Sequence, residues 1–197
     1  MIIGLTGNIA TDKSTVMSLA VQHGAYTIDA DQVVHDVYAT DQALLAELRT
    51  LFGNGIFFDD GSLNRKALGV IVFTDKAAMK RLEAAVHPAV RREVRQRIDN
   101  AKSNIIMLEA IKLLESPIGQ LADRVWVTNC SAERQIQRLI THRGLTQSEA
   151  EQRVNAQAPQ AEKLARADVI IDTNGTMEQT IAQFEQAWAT LETNNDL

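Results

Sequence analysis

The amino-acid sequence predicts an α/β fold built on a parallel β-sheet. Short apolar runs, several of them rich in β-branched residues, alternate along the chain with longer segments of helical periodicity. This alternation is typical of strand–helix–strand units, in which helices cover a parallel sheet. One connection, between the second and third runs, is far longer than the others, which predicts a helical insertion beside the sheet.

Five short segments are expected to form the strands. Each is apolar at its centre and ends near a glycine or a polar residue, as buried parallel strands do. In chain order they are residues 1–5, 25–28, 105–108, 124–128 and 169–171. The second is followed by Asp29, Ala30 and Asp31, so two carboxylates are predicted at the edge of the sheet where parallel strands place ligands.

Helical signals fill the segments between the strands. Gly24 is expected to end the first helix, because glycine is favoured just after a helix C-terminus. Capping-box pairs, Thr146 with Glu149 and Thr176 with Gln179, predict the starts of two later helices. The last helix shows one apolar stripe, made of Ile181, Phe184, Trp188 and Leu191. Residues 193–197 after it are expected to fray.

The long connection covers residues 29–104 and is helical in character. Val33 and Val37 recur at helical spacing near its start, and Leu82 and Val86 do so further along. The chain contains no internal repeat, low-complexity linker or long block of charge. We therefore expect one domain over residues 1–197, with the insertion as a part of it.

Composition and charge exclude several classes of protein. The 197 residues are 45% hydrophobic and 23% charged, which favours one packed core over a disordered chain. Lys and Arg number 20 against 25 Asp and Glu, a net charge of −5, so no nucleic-acid or membrane partner is expected. The single cysteine, Cys130, excludes an intrachain disulfide. Because no apolar run or leader segment directs the chain to a membrane, a soluble cytoplasmic protein is expected.

The most informative segment follows the first strand and opens the first helix. Residues 7–14 read Gly-Asn-Ile-Ala-Thr-Asp-Lys-Ser and nearly match the phosphate-binding pattern G-x-x-x-x-G-K-S/T. In that pattern backbone N–H groups hold phosphate oxygens, the lysine reaches the terminal phosphates, and the hydroxyl ligates Mg²⁺. Gly7, Lys13 and Ser14 stand at the expected positions, which predicts ATP and Mg²⁺ as ligands. An ordinary strand-to-helix turn that contains Lys-Ser is the alternative.

Asp12 departs from this pattern, because glycine is expected there. Aspartate tolerates a positive φ better than most residues, so the loop conformation is expected to survive. Its charge is a larger problem, since at about 5 Å and an effective dielectric near 20 it repels each phosphate charge by roughly 3 kcal/mol before screening. Asn8 replaces a second glycine and is a milder change. A protein with this fold that binds nucleotide without much turnover is therefore an alternative hypothesis.

Further segments, in order and spacing, resemble the dephospho-CoA kinase family along nearly the whole chain. They are residues 3–7 (Ile-Gly-Leu-Thr-Gly), 28–31 (Ile-Asp-Ala-Asp), 60–65 (Asp-Gly-Ser-Leu-Asn-Arg), 72–73 (Val-Phe), 87–91 (His-Pro-Ala-Val-Arg), 138–139 (Arg-Leu), 143–145 (Arg-Gly-Leu), 153 with 157 (Arg, Gln) and 167–172 (Ala-Asp-Val-Ile-Ile-Asp). The resemblance implies ATP-dependent phosphorylation of the ribose 3′-hydroxyl of dephospho-CoA, the last step of CoA synthesis. Another small-molecule kinase with a phosphate loop is the remaining hypothesis.

The resemblance also implies an architecture. It is a five-stranded parallel sheet of the P-loop kinase type, with a helical substrate-binding insertion and a helical lid. The core would take residues 1–30, 104–137 and 159–192, the substrate subdomain residues 31–103, and the lid residues 138–158. The oligomeric state cannot be read from the sequence.

Roles for individual residues follow from the same resemblance. The catalytic residues would be Asp31, as proton acceptor, with Lys13 and Arg143, the latter as a clamp on the transferring phosphates. The ATP-binding residues would be Gly7, Ala10, Thr11, Asp12, Lys13, Ser14, Thr15 and Arg138. Those that bind dephospho-CoA would be Asp31, His87, Arg91 and Glu109. Ser14 would hold the Mg²⁺ that arrives with ATP.

Structural alternatives exist for several of these residues. Asp31 is placed to cap the helix after the second strand, and the arginines of the lid segment could form a solvated basic face. A lone histidine such as His87 is more often packed or capping than catalytic. After the third strand the family commonly shows Asp-x-Pro-Leu-Leu-x-Glu, whereas residues 109–115 read Glu-Ala-Ile-Lys-Leu-Leu-Glu. The missing proline and Lys112 leave the details of substrate contact open.

Overall fold

The structure is a computed structural model that describes residues 1–193, with the side chains of residues 1–191. Its strands are β1 (Ile2–Thr6), β2 (Tyr26–Asp29), β3 (Ile106–Glu109), β4 (Arg124–Asn129) and β5 (Val169–Asp172). They form one sheet in the order β2-β3-β1-β4-β5, in which β1 pairs in parallel with β3 and β4, and β4 with β5. The predicted α/β fold with a five-stranded parallel sheet is confirmed. Residues 194–197, most of the segment expected to fray, lie outside the described residues.

The helices occupy the segments that the periodicity indicated. They are α1 (Lys13–Gln22), α2 (Ala30–Thr40), α3 (Gln42–Phe52), α4 (Arg65–Thr74), α5 (Lys76–Asn100), α6 (Ala132–Arg143), α7 (Gln147–Asn155), α8 (Gln160–Leu164) and α9 (Met177–Thr193), with short 3₁₀ helices at Asn54–Ile56, Leu113–Glu115 and Pro117–Leu121. Both predicted capping boxes are present: Glu149 and Thr146 bond reciprocally before α7, and Gln179 and Thr176 do so before α9. Within the described residues, no helix is both long enough and apolar enough to cross a bilayer.

The chain divides into two compact units. The first contains Met1–Thr27 and Ala101–Leu197, and the second contains Ile28–Asn100. The division of one domain into core, substrate subdomain and lid that the resemblance implies is finer than this, and stays a prediction.

The first unit is held together by a core on one face of the sheet. Ile3 and Leu5 of β1 are fully buried there, among side chains of α1 and α9. Trp126 of β4 packs edge-on against Phe184 and Trp188 of α9, with ring centroids 5.7 Å and 6.2 Å away. This core contains three of the four residues of the predicted apolar stripe, and Ile181 packs against it. It fixes β1 relative to α1, and therefore fixes the ends of the loop that joins them.

The second unit is a bundle of helices α2 to α5. Its longest helix, α5, continues through Pro88, although proline removes one backbone hydrogen bond from a helix. Arg97 of α5 donates to Asp36 of α2 at 2.6 Å and to Glu93 at 2.8 Å. The bond from Arg97, followed by one from Gln32, lowers the pKa of the Asp36 carboxyl below its usual value. The helical character predicted for this stretch of the sequence is confirmed.

Candidate active site

The loop between β1 and α1 has a backbone that glycine-rich phosphate loops require. Ala10 and Asp12 both lie in the left-handed region, with φ of 57° and 58°. At Gly7 a Cβ atom would lie 2.6 Å from the carbonyl oxygen of Thr128 and 2.6 Å from Thr11 Oγ1, so only glycine fits. The loop leads directly into α1, whose first N–H groups have no acceptor within the helix and are suited to binding an anion.

Buried threonines hold the loop against the ends of strands β4 and β5. Thr11 is fully buried, and its hydroxyl donates to the carbonyl of Asn8 at 2.8 Å and lies 2.7 Å from Thr128 Oγ1. Thr173, just after β5, donates its hydroxyl proton to the carbonyl of Thr11 at 3.3 Å. Because the Thr11 hydroxyl is used inside the protein, a contact of Thr11 with ATP would have to come from its backbone.

Lys13 lies across the mouth of the loop. Its Nζ donates to the carbonyl oxygens of Gly7 at 3.1 Å and Asn8 at 3.2 Å, and lies 3.8 Å from Glu109 Oε1 at the end of β3. The adjacent Ser14 is exposed in the first turn of α1, and the N–H of Thr15 donates to the carbonyl of Asp12 at 3.1 Å. The structure therefore brings a cation and a carboxylate together at the carboxyl edge of the sheet, and the hydroxyl of the next residue, Ser14, is exposed.

Asp12 is paired with an arginine from another part of the chain. Its Oδ2 lies 2.5 Å from Nη2 of Arg138, a residue of α6 whose side chain is 12% exposed. The same guanidinium donates through Nη1 to the carbonyl of Ala10 at 3.0 Å and through Nη2 to the carbonyl of Thr173 at 2.7 Å. The charge that the sequence places in the loop thus has a counter-ion.

A group of side chains near α8 binds the first half of the loop. The N–H of Asn8 donates to Gln160 Oε1 at 3.1 Å, and the N–H of Ile9 donates to Gln157 Oε1 at 2.9 Å. Lys163, only 3% exposed, donates to Asn8 Oδ1 at 2.7 Å. Burial lowers the pKa of the Lys163 ammonium, with Lys13 acting in the same direction and Glu115 opposing it. We call Gln157, Gln160 and Lys163 the loop brace.

The carboxylates after β2 have separate tasks. Asp29 caps α2, because its Oδ1 accepts from the N–H of Asp31 at 2.8 Å and from that of Gln32 at 3.1 Å. The cap that the sequence analysis offered as the alternative role of Asp31 is therefore supplied by Asp29. Asp31 is exposed in the first turn of α2.

The remaining predicted site residues are exposed. His87 and Arg91 lie on α5 of the second unit, so the packed alternative for His87 is wrong. Arg143 ends α6 and makes no hydrogen bond or ion pair with another described residue. Arg153 lies exposed on α7. Their roles in binding or catalysis stay predictions.

Sequence reasoning missed several residues that shape the loop. Gln160, Lys163, Thr128 and Thr173 were not predicted as parts of the site. Gln157 was noticed only as one half of an Arg-x-x-x-Gln match. Lys163 gave no signal in the sequence, because it stands at no distinctive spacing from the loop.

Comparisons with known proteins agree on one family. The family model for dephospho-CoA kinase (CoaE) matches residues 1–179. The dephospho-CoA kinase of Geobacter sulfurreducens is 41% identical over 191 residues, which cover 95% of this chain and 97% of that protein. That of Leifsonia xyli is 40% identical over 194 residues, covering 96% and 98%.

Solved structures with the same fold include both this family and another kinase. TT1252 from Thermus thermophilus superposes with a TM-score of 0.83 at 30% identity, over 97% of each chain. A dephospho-CoA kinase from Campylobacter jejuni gives 0.69 at 24% identity over 98% of each chain, and a shikimate kinase from Bacteroides thetaiotaomicron gives 0.58 at 14% identity, also over 98% of each. The last two comparisons concern the fold alone. From its loop, its sheet and its relatives, the chain belongs to the dephospho-CoA kinase family.

Proposed function

We propose that this protein transfers the γ-phosphoryl group of ATP to the ribose 3′-hydroxyl of dephospho-CoA, giving CoA and ADP. The observation that carries the proposal is the phosphate loop with Lys13 across its mouth, in a chain that matches the family over nearly its whole length. A catalytically impaired family member that binds CoA or nucleotide was the alternative, because Asp12 replaces the loop glycine. No comparison supports that alternative, and the Asp12 charge is paired with Arg138.

The proposed role of the loop is to bind and orient the ATP phosphates. Backbone N–H groups at the start of α1 suit the phosphate oxygens, and Lys13 supplies the charge that the terminal phosphates require. Lys13 Nζ donates to two loop carbonyls and lies 3.8 Å from Glu109 Oε1, and we expect it to exchange the carbonyls for phosphate oxygens, which are charged acceptors. Phosphoryl transfer depends mainly on such positioning and charge stabilisation.

We further propose that Mg²⁺ binds together with ATP. Magnesium prefers oxygen ligands and is commonly held by one or two protein groups plus substrate phosphates. The exposed Ser14 hydroxyl and the Glu109 carboxylate offer such oxygens at the loop. Among the described residues no cluster of three His, Cys, Asp or Glu side chains is placed to hold a metal ion. When bound, Mg²⁺ would neutralise phosphate charge.

Asp31 is proposed as the proton acceptor for the 3′-hydroxyl. As the hydroxyl oxygen bonds to the γ-phosphorus, the bond to the bridging oxygen of ADP breaks and the hydroxyl proton passes to the carboxylate. The carboxylate is available because Asp29 supplies the cap of α2. Asp31→Asn should retain the fold and ATP affinity while kcat falls by about 10²- to 10⁴-fold. A variant with the parental kcat would contradict this role.

A coupled assay of ADP release tests the reaction itself. ADP should appear only when ATP, Mg²⁺ and dephospho-CoA are all present, and the product should carry one new phosphate at the 3′ position. CoA, whose 3′ position is already phosphorylated, is the matched control and should give no turnover. Shikimate in place of dephospho-CoA tests the other kinase class. ADP release that does not depend on dephospho-CoA would contradict the proposal.

The proposal includes a cytoplasmic location for the reaction. Cell fractionation, followed by the same assay, would recover the activity in the cytosolic fraction. Recovery with the membranes would contradict this part of the proposal.

A further inference from the structure

The Asp12–Arg138 pair is enclosed enough to matter energetically. Oδ2 and Nη2 lie 2.5 Å apart, and the two side chains are 29% and 12% exposed. Solvent and salt screen such a pair less than a fully exposed one. Among the described residues of the loop and α1, Asp12 makes no side-chain capping bond, although it occupies the N-cap position. Its carboxylate is therefore used for Arg138 and not for the helix.

Arg138 is committed to protein partners on two sides. Towards β5 it donates to the carbonyl of Thr173 at 2.7 Å and to its hydroxyl at 3.1 Å. Towards the loop it bonds to Ala10 and Asp12, the two residues with left-handed backbone conformation. A planar guanidinium with several fixed donors suits such a task. Arg138 thus joins the strained half of the loop to the end of the sheet.

We propose that Arg138 is a positioning residue that acts through Asp12. It cancels the charge that Asp12 would otherwise present to the ATP phosphates. The proposal rests on the proposed function, because the repulsion that it cancels is directed at bound ATP. It differs from the sequence-based expectation that Arg138 contacts ATP directly.

The two roles of Arg138 predict opposite coupling with Asp12. If Arg138 acts through Asp12, its removal exposes a carboxylate, and ATP affinity falls by about 10- to 100-fold. With Asp12→Gly already present there is no carboxylate to expose, so the same removal has a small effect, about threefold or less. If Arg138 instead binds ATP directly, Asp12 competes for it, and its removal costs more affinity in the Asp12→Gly background.

A double-mutant cycle measured by calorimetric titration of ATP decides between them. The proteins are the parent, Asp12→Gly, Arg138→Met and the double variant, each checked for folding by its thermal midpoint. Arg134→Met is the matched control, since it removes the same charge from α6 and Arg134 bonds to Gln137 and not to the loop. Its ATP affinity should remain within about twofold of the parent.

One further variant and a salt titration separate the effect of charge from that of structural support. Asp12→Asn keeps the size of the side chain and removes its charge, so it should restore most of the ATP affinity that Arg138→Met loses. The loss in Arg138→Met should also shrink as salt rises, because screening weakens repulsion but does not replace a missing support. If Arg138→Met does not fold, Arg138→Gln, which retains a donor for Thr173, takes its place in the cycle.

The outcomes are distinguishable from failure of the proposed function. A larger loss in the Asp12→Gly background, or an equal loss in both backgrounds without rescue by Asp12→Asn, overturns the positioning role. If the parent binds no ATP, both the proposed function and this inference fail. If it binds ATP with the predicted coupling yet does not phosphorylate dephospho-CoA, only the proposed substrate is wrong.

Discussion

Asp12 illustrates how a single side chain gains or loses significance through its partner. From the sequence alone, roughly 1–3 kcal/mol of screened repulsion predicts that Asp12→Gly tightens ATP binding by about 5- to 150-fold. The guanidinium 2.5 Å away leaves the pair with no net charge, so most of that repulsion is already cancelled. Asp12→Gly would then relieve only the cost of the left-handed backbone at position 12 and the repulsion from the residual dipole of the ion pair.

We therefore expect Asp12→Gly to tighten ATP binding by only about two- to fivefold. Dephospho-CoA affinity and the thermal midpoint should hardly change. Calorimetric titration of ATP with and without Mg²⁺ measures the effect, and the parent protein is the reference. A gain of 100-fold would show that Arg138 does not compensate the charge.

Arg143 is the second residue at which one substitution is informative. It is exposed at the end of α6 and has no partner among the described side chains, so Arg143→Ala should leave the fold intact. As a clamp on charge that develops during transfer, it should affect kcat more than the binding of dephospho-CoA. Steady-state kinetics with both substrates varied separate the two effects.

His142→Ala, on the same exposed turn, is the control for Arg143→Ala and should turn over like the parent. A rise in KM for dephospho-CoA with unchanged kcat would instead make Arg143 a substrate contact.

At the scale of elements, the loop brace connects α8 to the turn before α1. Lys163 is the buried member, and its ammonium has Asn8 Oδ1 as acceptor at 2.7 Å. Asn8→Ala removes that acceptor and leaves a buried charge without its hydrogen bond, which should destabilise the protein by about 1–3 kcal/mol. Urea unfolding at pH 7 measures this loss.

The loss of stability in Asn8→Ala should depend on pH, in a direction set by the pKa of Lys163. Burial lowers the pKa of Lys163 in the folded protein below 10.5, so the unfolded chain binds the proton more tightly. Below the lowered pKa of folded Lys163 the buried charge takes away its full share of stability, and that share is recovered as pH rises from this pKa towards 10.5. The penalty in Asn8→Ala should therefore shrink towards pH 10. Lys163→Met in the same background is the control, since it has no charge to relieve and should show no such recovery.

At the scale of the whole molecule, stability of the first unit depends on its aromatic core. Phe184 is fully buried, stacked on Trp188 with centroids 5.2 Å apart and edge-on to Trp126. Phe184→Ala should destabilise this unit by about 3–5 kcal/mol, because the cavity cannot fully collapse between two indoles. Urea unfolding followed by tryptophan fluorescence measures the change.

The fluorescence signal in this experiment reports on the first unit only. Both tryptophans of the chain, Trp126 and Trp188, lie in the first unit, whereas circular dichroism reports the helices of both units. If the fluorescence transition of Phe184→Ala shifts to lower urea while part of the dichroism change stays at the parental midpoint, the units unfold separately. An unchanged fluorescence midpoint would contradict the role of this core.

Local signals explain why the fold was largely predictable. Strand β1 was expected at residues 1–5 and lies at Ile2–Thr6, and β2 at 25–28 lies at Tyr26–Asp29. Apolar runs and capping pairs are read within a few residues of one another, so the sequence displays them directly. The phosphate loop was found in the same way, from Gly7, Lys13 and Ser14.

The supports of the loop were not predictable, because they depend on contacts between distant parts of the chain. Gln160 stands 152 residues from Asn8, and Thr173 stands 162 residues from Thr11. The Asp12–Arg138 pair likewise joins residues that share no periodic pattern. Which polar side chains meet is decided by the order of strands in the sheet, and no local spacing encodes that order.

Cys130 makes the neighbourhood of the loop chemically observable. It is the chain's single thiol, buried just after β4, with Sγ 3.7 Å from the carbonyl of Ala10 and 3.4 Å from Arg138 Nη1. Burial raises the pKa of the thiol, and Arg138 opposes that rise only in part. We therefore expect an alkylating reagent to react chiefly while the loop and α6 are separated. The alkylation rate of the parent enzyme then measures how often these openings occur, and it should fall when ATP occupies the loop.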